Sequence, residues 1–384
     1  MKILFYLGLG TLVLFEFLKI YFIMPFPGSQ QWDSIDFAYF LHSYRWMFRI
    51  ASLILILVGT PSTISKKRKW VPVLCLLTTL GLTAIFNLKM AADAMFKEPK
   101  QLSFHTRDSF EESDSTLVVA IENKGEAKAY PIRYLVYHHQ VRDTLACKPV
   151  MVTYCSVCRT GRVFLPFVEG KPEQFRLVGM DHFNAMFEDL GTGSWWQQAT
   201  GEAITGELKG KKLDEIESIQ LTAGAFFRAY PQGTIMAADP NFLSKYDTLG
   251  KFEKGKSESK LTGTDPFSWN EKSWVIGVDL KAGAKAYDWN MLLETESIRD
   301  RVGDQDILIL LNKDTQSFVA LEIPSDTKTH LWKGDTLYLD SAAYSFTGKS
   351  LKPNQSDLKR LKAYQEFWHS WRTFHPETVG PNLK

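Results

Sequence analysis

Leu117-Val118-Val119-Ala120-Ile121 and Trp274-Val275-Ile276-Gly277-Val278 decide how the larger part of this chain is read. Both are apolar, largely β-branched runs of strand length. Set one on the other, and the residues that follow fall into step without a gap. Ala127-Lys128-Ala129-Tyr130 lies on Ala284-Lys285-Ala286-Tyr287, and Leu135 on Leu292. Arg142-Asp143 lies on Arg299-Asp300, and Val150 and Val152 on Ile307 and Ile309, all at a constant offset of 157. A register kept over so long a stretch points to two diverged copies of one unit. The unit ends agree as well. Phe226-Phe227-Arg228-Ala229-Tyr230-Pro231 resembles Ser370-Trp371-Arg372-Thr373-Phe374-His375-Pro376, each the end of an amphipathic helix stopped by proline.

Each copy is expected to begin with a strand, a turn and a short helix after the Lys-Ala-Tyr segment. Further strands are expected at Pro149 to Tyr154, Arg162 to Val168, Phe175 to Val178 and Asp306 to Leu311, with a hairpin turn at Glu169-Gly170-Lys171-Pro172. The fold class is α+β with mainly antiparallel pairing. Residues 117–239 form the first repeat and 273–384 the second, which lacks the cysteines of the first. Residues 240–272 join them, including the Lys-, Glu-, Ser- and Gly-rich stretch Asp247 to Thr262. Residues 96–116 are polar and read as a linker.

Residues 1–95 are of another kind. Apolar runs at 3–24, 41–60 and 71–88 each approach the roughly 20 residues that a membrane-crossing helix needs. The first ends in Met24-Pro25-Phe26-Pro27 and carries Glu16 and Lys19, which reads as an uncleaved span rather than a signal peptide. Lys66-Lys67-Arg68-Lys69, between the second and third runs, should stay cytoplasmic. The N-terminus is then cytoplasmic, and everything after Phe96 is periplasmic or extracellular. Glu16 and Arg49 lie at similar depth within their spans and are expected to pair, since a lone charge there is expensive.

The 384 residues carry 45 basic and 43 acidic side chains, a net charge of +2. Without a basic stripe in the C-terminal portion, nucleic acid is excluded as a partner. No phosphate loop, dinucleotide fingerprint or Ser-His-Asp arrangement is evident, so no nucleotide cofactor is indicated. The membrane is the implied partner, with a small molecule or cell-envelope component unidentified.

Chemistry concentrates in the first copy. Cys155-Ser156-Val157-Cys158 follows one strand and precedes another, where the second copy has Asn312 and Thr315. Two thiolates on a tight turn suit a metal knuckle, with His138 or His182 completing a copper or zinc site. Outside the cytoplasm the same pair could exchange disulfides, with Arg159 favouring the thiolate. A third reading is a structural disulfide, with Cys147 as a further partner. His138-His139 closes the short helix, and adjacent side chains diverge, so one of the two should face the cysteine strand. A second cluster runs from Gly179 to Asp189. In it Asp181, His182 and Glu188 are candidate acids, bases or ligands, and Asp181 and Glu188 join Cys155 and Cys158 as catalytic candidates. Arg159, Asn184, Trp195, Trp196 and Gln197 are candidates for the wall of a substrate pocket. A strand through Asn184 to Glu188 would send alternate residues to opposite faces.

Several of these segments carry a resemblance. Lys128-Ala129-Tyr130-Pro131, His138 with Asp143, and Thr153-Tyr154-Cys155-Ser156-Val157-Cys158-Arg159-Thr160-Gly161 are among them. So are Phe187-Glu188-Asp189, Ser194-Trp195-Trp196-Gln197, Gly201-Glu202-Ala203, Gly206 and Gly210. Together they resemble the uncharacterised DUF3179 domain family, here in a membrane-anchored form, over residues 117–239. The family's usual Cys-Pro-Leu-Cys-Gly is Cys-Ser-Val-Cys-Arg in this chain. The resemblance implies boundaries and leaves function open. The leading expectation is an extracytoplasmic copper- or zinc-binding protein. The alternatives are a thiol-disulfide oxidoreductase and a ligand- or envelope-binding module with a structural disulfide.

Overall fold

The computed structural model describes residues 1–64, 69–280 and 282–380. It comprises two compact units: Met1–Lys97 with Glu173–Lys212, and Glu98–Pro172 with Leu213–Lys384.

The first unit contains the helices α1 (Lys2–Tyr21), α2 (Ile35–Ser43), α3 (Arg45–Ile64) and α4 (Trp70–Leu88). Of these, α1, α3 and α4 are long and apolar enough to cross a membrane. The second span differs from the expected 41–60. Its helix breaks at Tyr44 (φ −95°, ψ 17°), so Leu41 belongs to α2, and α3 continues through Pro61. The hydroxyls of Thr60, Ser62 and Thr63 bond the carbonyls of Ile56 and Gly59 around that proline, which keeps local backbone groups satisfied in an apolar setting. Lys66, Lys67 and Arg68 lie outside the described residues.

Glycine sets how closely α1 and α3 approach. A Cβ on Gly59 would stand 2.3 Å from the Phe5 nitrogen, and one on Gly8 would stand 2.7 Å from the Ser52 carbonyl oxygen. Small residues at such crossings let helix backbones touch where no water drives association. The expected charge pair is present: Arg49 Nε donates to Glu16 Oε1 at 2.6 Å. It belongs to a larger group, because Lys19 lies 2.9 Å from Glu16 Oε2 and Asn87 Nδ2 donates to the same oxygen at 2.9 Å.

The same unit holds an antiparallel meander of Phe175–Asp181, Asn184–Asp189, Trp195–Gln197 and Ala203–Thr205. It is tied to the chain after α1. Met180 N donates to the Ile23 carbonyl at 2.9 Å, and Phe183 N donates to Gln30 Oε1 at 3.1 Å.

The second unit is rich in strands. Leu117–Asn123 pairs with Glu126–Pro131 and with Ile219–Thr222, and helix Ile132–His138 follows. Gln140–Leu145 and Lys148–Cys155 then form a hairpin that Thr160–Phe164 extends. Later in the chain, Trp274–Leu280 pairs with Gly283–Asp288 and with Ala363–Phe367, and helix Trp289–Thr295 follows. Ser297–Val302 and Gln305–Leu311 form a hairpin extended by Phe318–Glu322.

Detailed contacts correspond as well. Tyr130 OH donates to Asp143 at 2.7 Å, and Tyr287 OH donates to Asp300 at 2.7 Å. His139 and Glu296 end their helices at φ 58° and 59°. One core draws on both stretches, joining Val118, Ala120, Leu221 and Phe226 to Leu308, Leu310, Val319 and Leu321. Part of the expected linker is built into a sheet, since Phe104–His105 pairs with Thr234–Met236.

Candidate functional site

The cysteine turn is a hairpin. Cys155 ends one strand opposite Thr160, so Ser156 to Arg159 make the bend. The bend closes with Arg159 in the left-handed region at φ 57°, a conformation natural to glycine and costly for a side chain with a Cβ. Here the side chain's own contacts offset the strain. Arg159 is 1% exposed. It donates to Gln365 Oε1 at 3.1 Å, to the Phe252 carbonyl at 3.1 Å and to the Glu253 carbonyl at 3.2 Å. Its guanidinium also sits 3.9 Å from the centre of the Trp274 ring. Carbonyls, an amide and a ring face hold this buried cation.

Three of those partners, Glu253, Trp274 and Gln365, border a cavity of about 720 Å³, lined also by Glu112, Arg133 and Gln220. That volume suits a small-molecule ligand. Gln220 Nε2 donates to Gln365 Oε1 at 3.1 Å, linking two strands across the cavity wall. Glu253 ends the short helix Gly250–Glu253, and its Oε1 accepts from the Arg133 backbone N–H at 3.1 Å. Burial pushes its carboxyl up to about 7, with the nearby charge of Glu112 adding to the effect and Arg133 and Arg159 opposing it. A carboxyl that can gain or lose a proton near neutrality, inside a cavity, is a recognised mark of a functional site. Arg133 and Tyr134 both bond Glu112.

Behind the turn lies a second group. Lys272 Nζ donates to the Val157 carbonyl at 2.8 Å and to the Leu261 carbonyl at 2.7 Å, and lies 3.1 Å from His369 Nε2. Burial pulls the Lys272 ammonium below its ordinary value, and electrostatic interaction with Cys158, Cys155 and Glu271 opposes that shift. Burial and the Lys272 charge push His369 down to about 3, so its imidazole is neutral at pH 7. Phe367 N donates to the Cys158 carbonyl at 3.0 Å.

The sequence-derived candidates divide between the two units. Cys155 and Cys158 are both buried, whereas Cys75 is half-buried. Cys147 is exposed at the far end of the strand that Cys155 closes, which at about 3.3 Å per residue puts it far beyond disulfide reach of Cys155. His138 Nε2 pairs with Tyr246 OH at 2.6 Å. Its neighbour His139 meets the cysteine strand instead, through Nδ1 and the Tyr154 carbonyl at 2.8 Å. His182 belongs to the other unit and bonds Asp181 at 2.9 Å, which raises its pKa. Among the described residues, no group of three or more His, Cys, Asp or Glu side chains is arranged to hold a metal ion.

The residues from Asp181 to Gln198 are linked to one another by hydrogen bonds. Trp195 donates to Glu188 at 3.1 Å, and Trp196 donates to Asp189 at 2.9 Å. Asn184 Nδ2 donates to Gln198 at 2.9 Å, and Gln197 Nε2 to Asp181 at 3.1 Å. Burial alone would raise Glu188, but hydrogen bonds from His42 and Trp195 and the Arg176 charge outweigh it and bring the carboxyl to about 2.

The fold and site together define a chain with three membrane-length helices and a strand-rich α+β portion that carries a cavity of mixed polar and apolar lining beside a buried two-cysteine turn. Residues 97–378 match the family model described as a protein of unknown function, DUF3179, and the chain belongs to that family. The match runs well past the expected 117–239 and takes in the later strands and the connecting stretch. No curated protein and no solved structure matches the chain.

Proposed function

We propose that this is a membrane-anchored ligand-binding protein, with its N-terminus cytoplasmic and its strand-rich portion outside. The Lys66 to Lys69 loop supports that orientation. The strand-rich portion is two diverged copies of one unit. The constant offset of 157 supports this, together with the matching Tyr–Asp bonds and left-handed helix ends. A small polar ligand occupies the cavity lined by Glu253, Gln220 and Gln365. The observation that carries this reading is Glu253 itself, a buried carboxyl poised near neutrality in a ligand-sized space.

The test is a thermal-shift screen of the detergent-solubilised full chain against small polar metabolites, run beside metal analysis. Compounds that stabilise the wild type but not Glu253→Gln or Gln365→Ala support the reading. If every hit stabilises the variants equally, while one zinc or copper per chain is lost in Cys155→Ser, the metal reading prevails instead.

Thiol chemistry is a second reading, favoured by Lys272. A buried ammonium at the turn stabilises a thiolate and opposes a bound metal cation by charge. In exchange with an external disulfide, Cys155 and Cys158 would lose two protons and two electrons and form one S–S bond, leaving the partner as two thiols. A reduction potential within the range of exchange catalysts, shifted by Lys272→Met, supports it. A very low potential unaffected by Lys272→Met contradicts it.

A further inference from the structure

The helical end of the chain carries a second cavity, of about 270 Å³, within the first unit. It lies where α1 ends, α3 begins and α4 ends. Lys19, Arg45, Arg49 and Arg176 contribute to its wall, and Ile20, Ile23 and Phe86 supply an apolar side. The charges do not cancel. Arg49 and Lys19 share Glu16, and Arg176 is shared between Glu188 and Asp93. Arg45 instead donates to a neutral group, the His42 carbonyl, at 2.7 Å. Four cations thus face three carboxylates, and His42, bonded to Glu188 at 3.2 Å, adds a further positive charge whenever it is protonated.

The depth of this cavity in a bilayer can be read from its surroundings. Trp32, Phe37, Phe40, Tyr44 and Trp46 are exposed on the segment from the end of α1 to the start of α3, with Trp32 67% and Trp46 63% exposed. Exposed aromatics of this kind collect at the level of lipid headgroups. Arg49 lies 5.0 Å from the centre of the Trp46 ring. A net-positive cavity at headgroup depth, with arginines on one wall and apolar side chains on another, has the chemistry of a phosphate-ester site. Guanidinium meets phosphate oxygens in a two-pronged geometry, and the apolar side receives the start of an acyl chain.

We propose that this cavity binds the phosphate of an anionic phospholipid headgroup, with Arg45 as the residue that supplies the uncompensated charge. The inference is independent of the ligand proposed for the strand-rich portion.

Native mass spectrometry of the detergent-solubilised full chain tests it, with phosphatidylglycerol, phosphatidylcholine and diacylglycerol as probes. Phosphatidylglycerol should be retained best and diacylglycerol least. Arg45→Ala should lower phosphatidylglycerol retention about tenfold, the loss of roughly one charge-assisted hydrogen bond. Arg45→Lys, which keeps the charge without the fork, should be intermediate and guards against a misfolded Ala variant. Competition by inorganic phosphate would place the lipid phosphate in the same site. Stabilisation by inorganic phosphate without preference among the lipids would overturn the lipid as the source and leave a soluble phosphate. Equal retention of phosphatidylglycerol and diacylglycerol, without any effect of phosphate, would overturn the proposal, as would unchanged selectivity in Arg45→Ala.

Discussion

Gly277→Ala adds one methyl group in the middle of the strand Trp274–Leu280, where Gly277 pairs with Ala286 on one side and Tyr364 on the other. The new Cβ would fall 2.0 Å from Trp371 Cε3 and 2.1 Å from Cζ3. The indole cannot readily yield. It is fully buried, its Nε1 donates to Thr378 Oγ1 at 2.8 Å, and its face stacks on His375 at 3.7 Å. Overpacking of this kind costs about 1–3 kcal/mol, and a rigid ring as the obstacle argues for the upper end. At about 2–4 °C per kcal/mol for a domain of this size, the unfolding midpoint should fall by roughly 5–10 °C. The position at the offset of 157 is Ala120, which already carries a Cβ and shares its core with Phe226. Trp371→Phe should therefore be less harmful in the Gly277→Ala background than alone, with a coupling of about 1 kcal/mol or more. Thermal unfolding followed by circular dichroism on the four chains of the cycle gives both numbers. A Gly277→Ala midpoint equal to the wild type, or a strictly additive cycle, would refute the packing argument.

Two further outcomes follow from buried charge. Glu16→Gln leaves Arg49 and Lys19 without their carboxylate, and removing one partner of a buried pair costs about 3–5 kcal/mol. The helical unit should unfold earlier in a detergent denaturation series, and an unchanged midpoint would show that the cations are satisfied without Glu16. Arg159→Gly relieves a left-handed backbone strain of about 1–2 kcal/mol but forfeits three hydrogen bonds from a cation, each worth about 1.5–3 kcal/mol. A net loss of at least a few kcal/mol is expected in urea unfolding. A more stable Arg159→Gly chain would mean that those bonds contribute little.

What the sequence made legible was local. Hydropathy locates the three helices long and apolar enough to span a membrane, although the break at Tyr44 is hidden because the apolar run continues through it. The position of Cys155 and Cys158 on a turn between two strands was likewise readable from the flanking residues. The cavity was not. Asp247 to Thr262 has the composition of a solvated connector, yet Phe252 and Glu253 within it are buried by docking. No local pattern reports that docking. Arg159 reaches partners 93 and 206 residues away in sequence, and the proton affinity of Glu253 is set by burial against Arg133 and Glu112. Nor does the sequence report that the Trp195 and Trp196 N–H groups bond Glu188 and Asp189. Of the adjacent histidines, the left-handed helix end at His139 decides that this residue, rather than His138, meets the Tyr154 carbonyl.

The pH dependence of stability in the wild type and in Glu253→Gln tests the cavity most directly. The folded chain holds the Glu253 proton to about pH 7, whereas the unfolded chain releases it near the ordinary value of 4.5. Between those limits the folded state binds more protons, so this group lowers stability as pH rises, by a total on the order of 3 kcal/mol above pH 7. Glu253→Gln should therefore match the wild type near pH 4.5, gain on it steadily up to pH 7, and hold a constant advantage beyond. Parallel stability curves across that range would mean that Glu253 titrates as an ordinary surface carboxylate, and the ligand site built around it would fall.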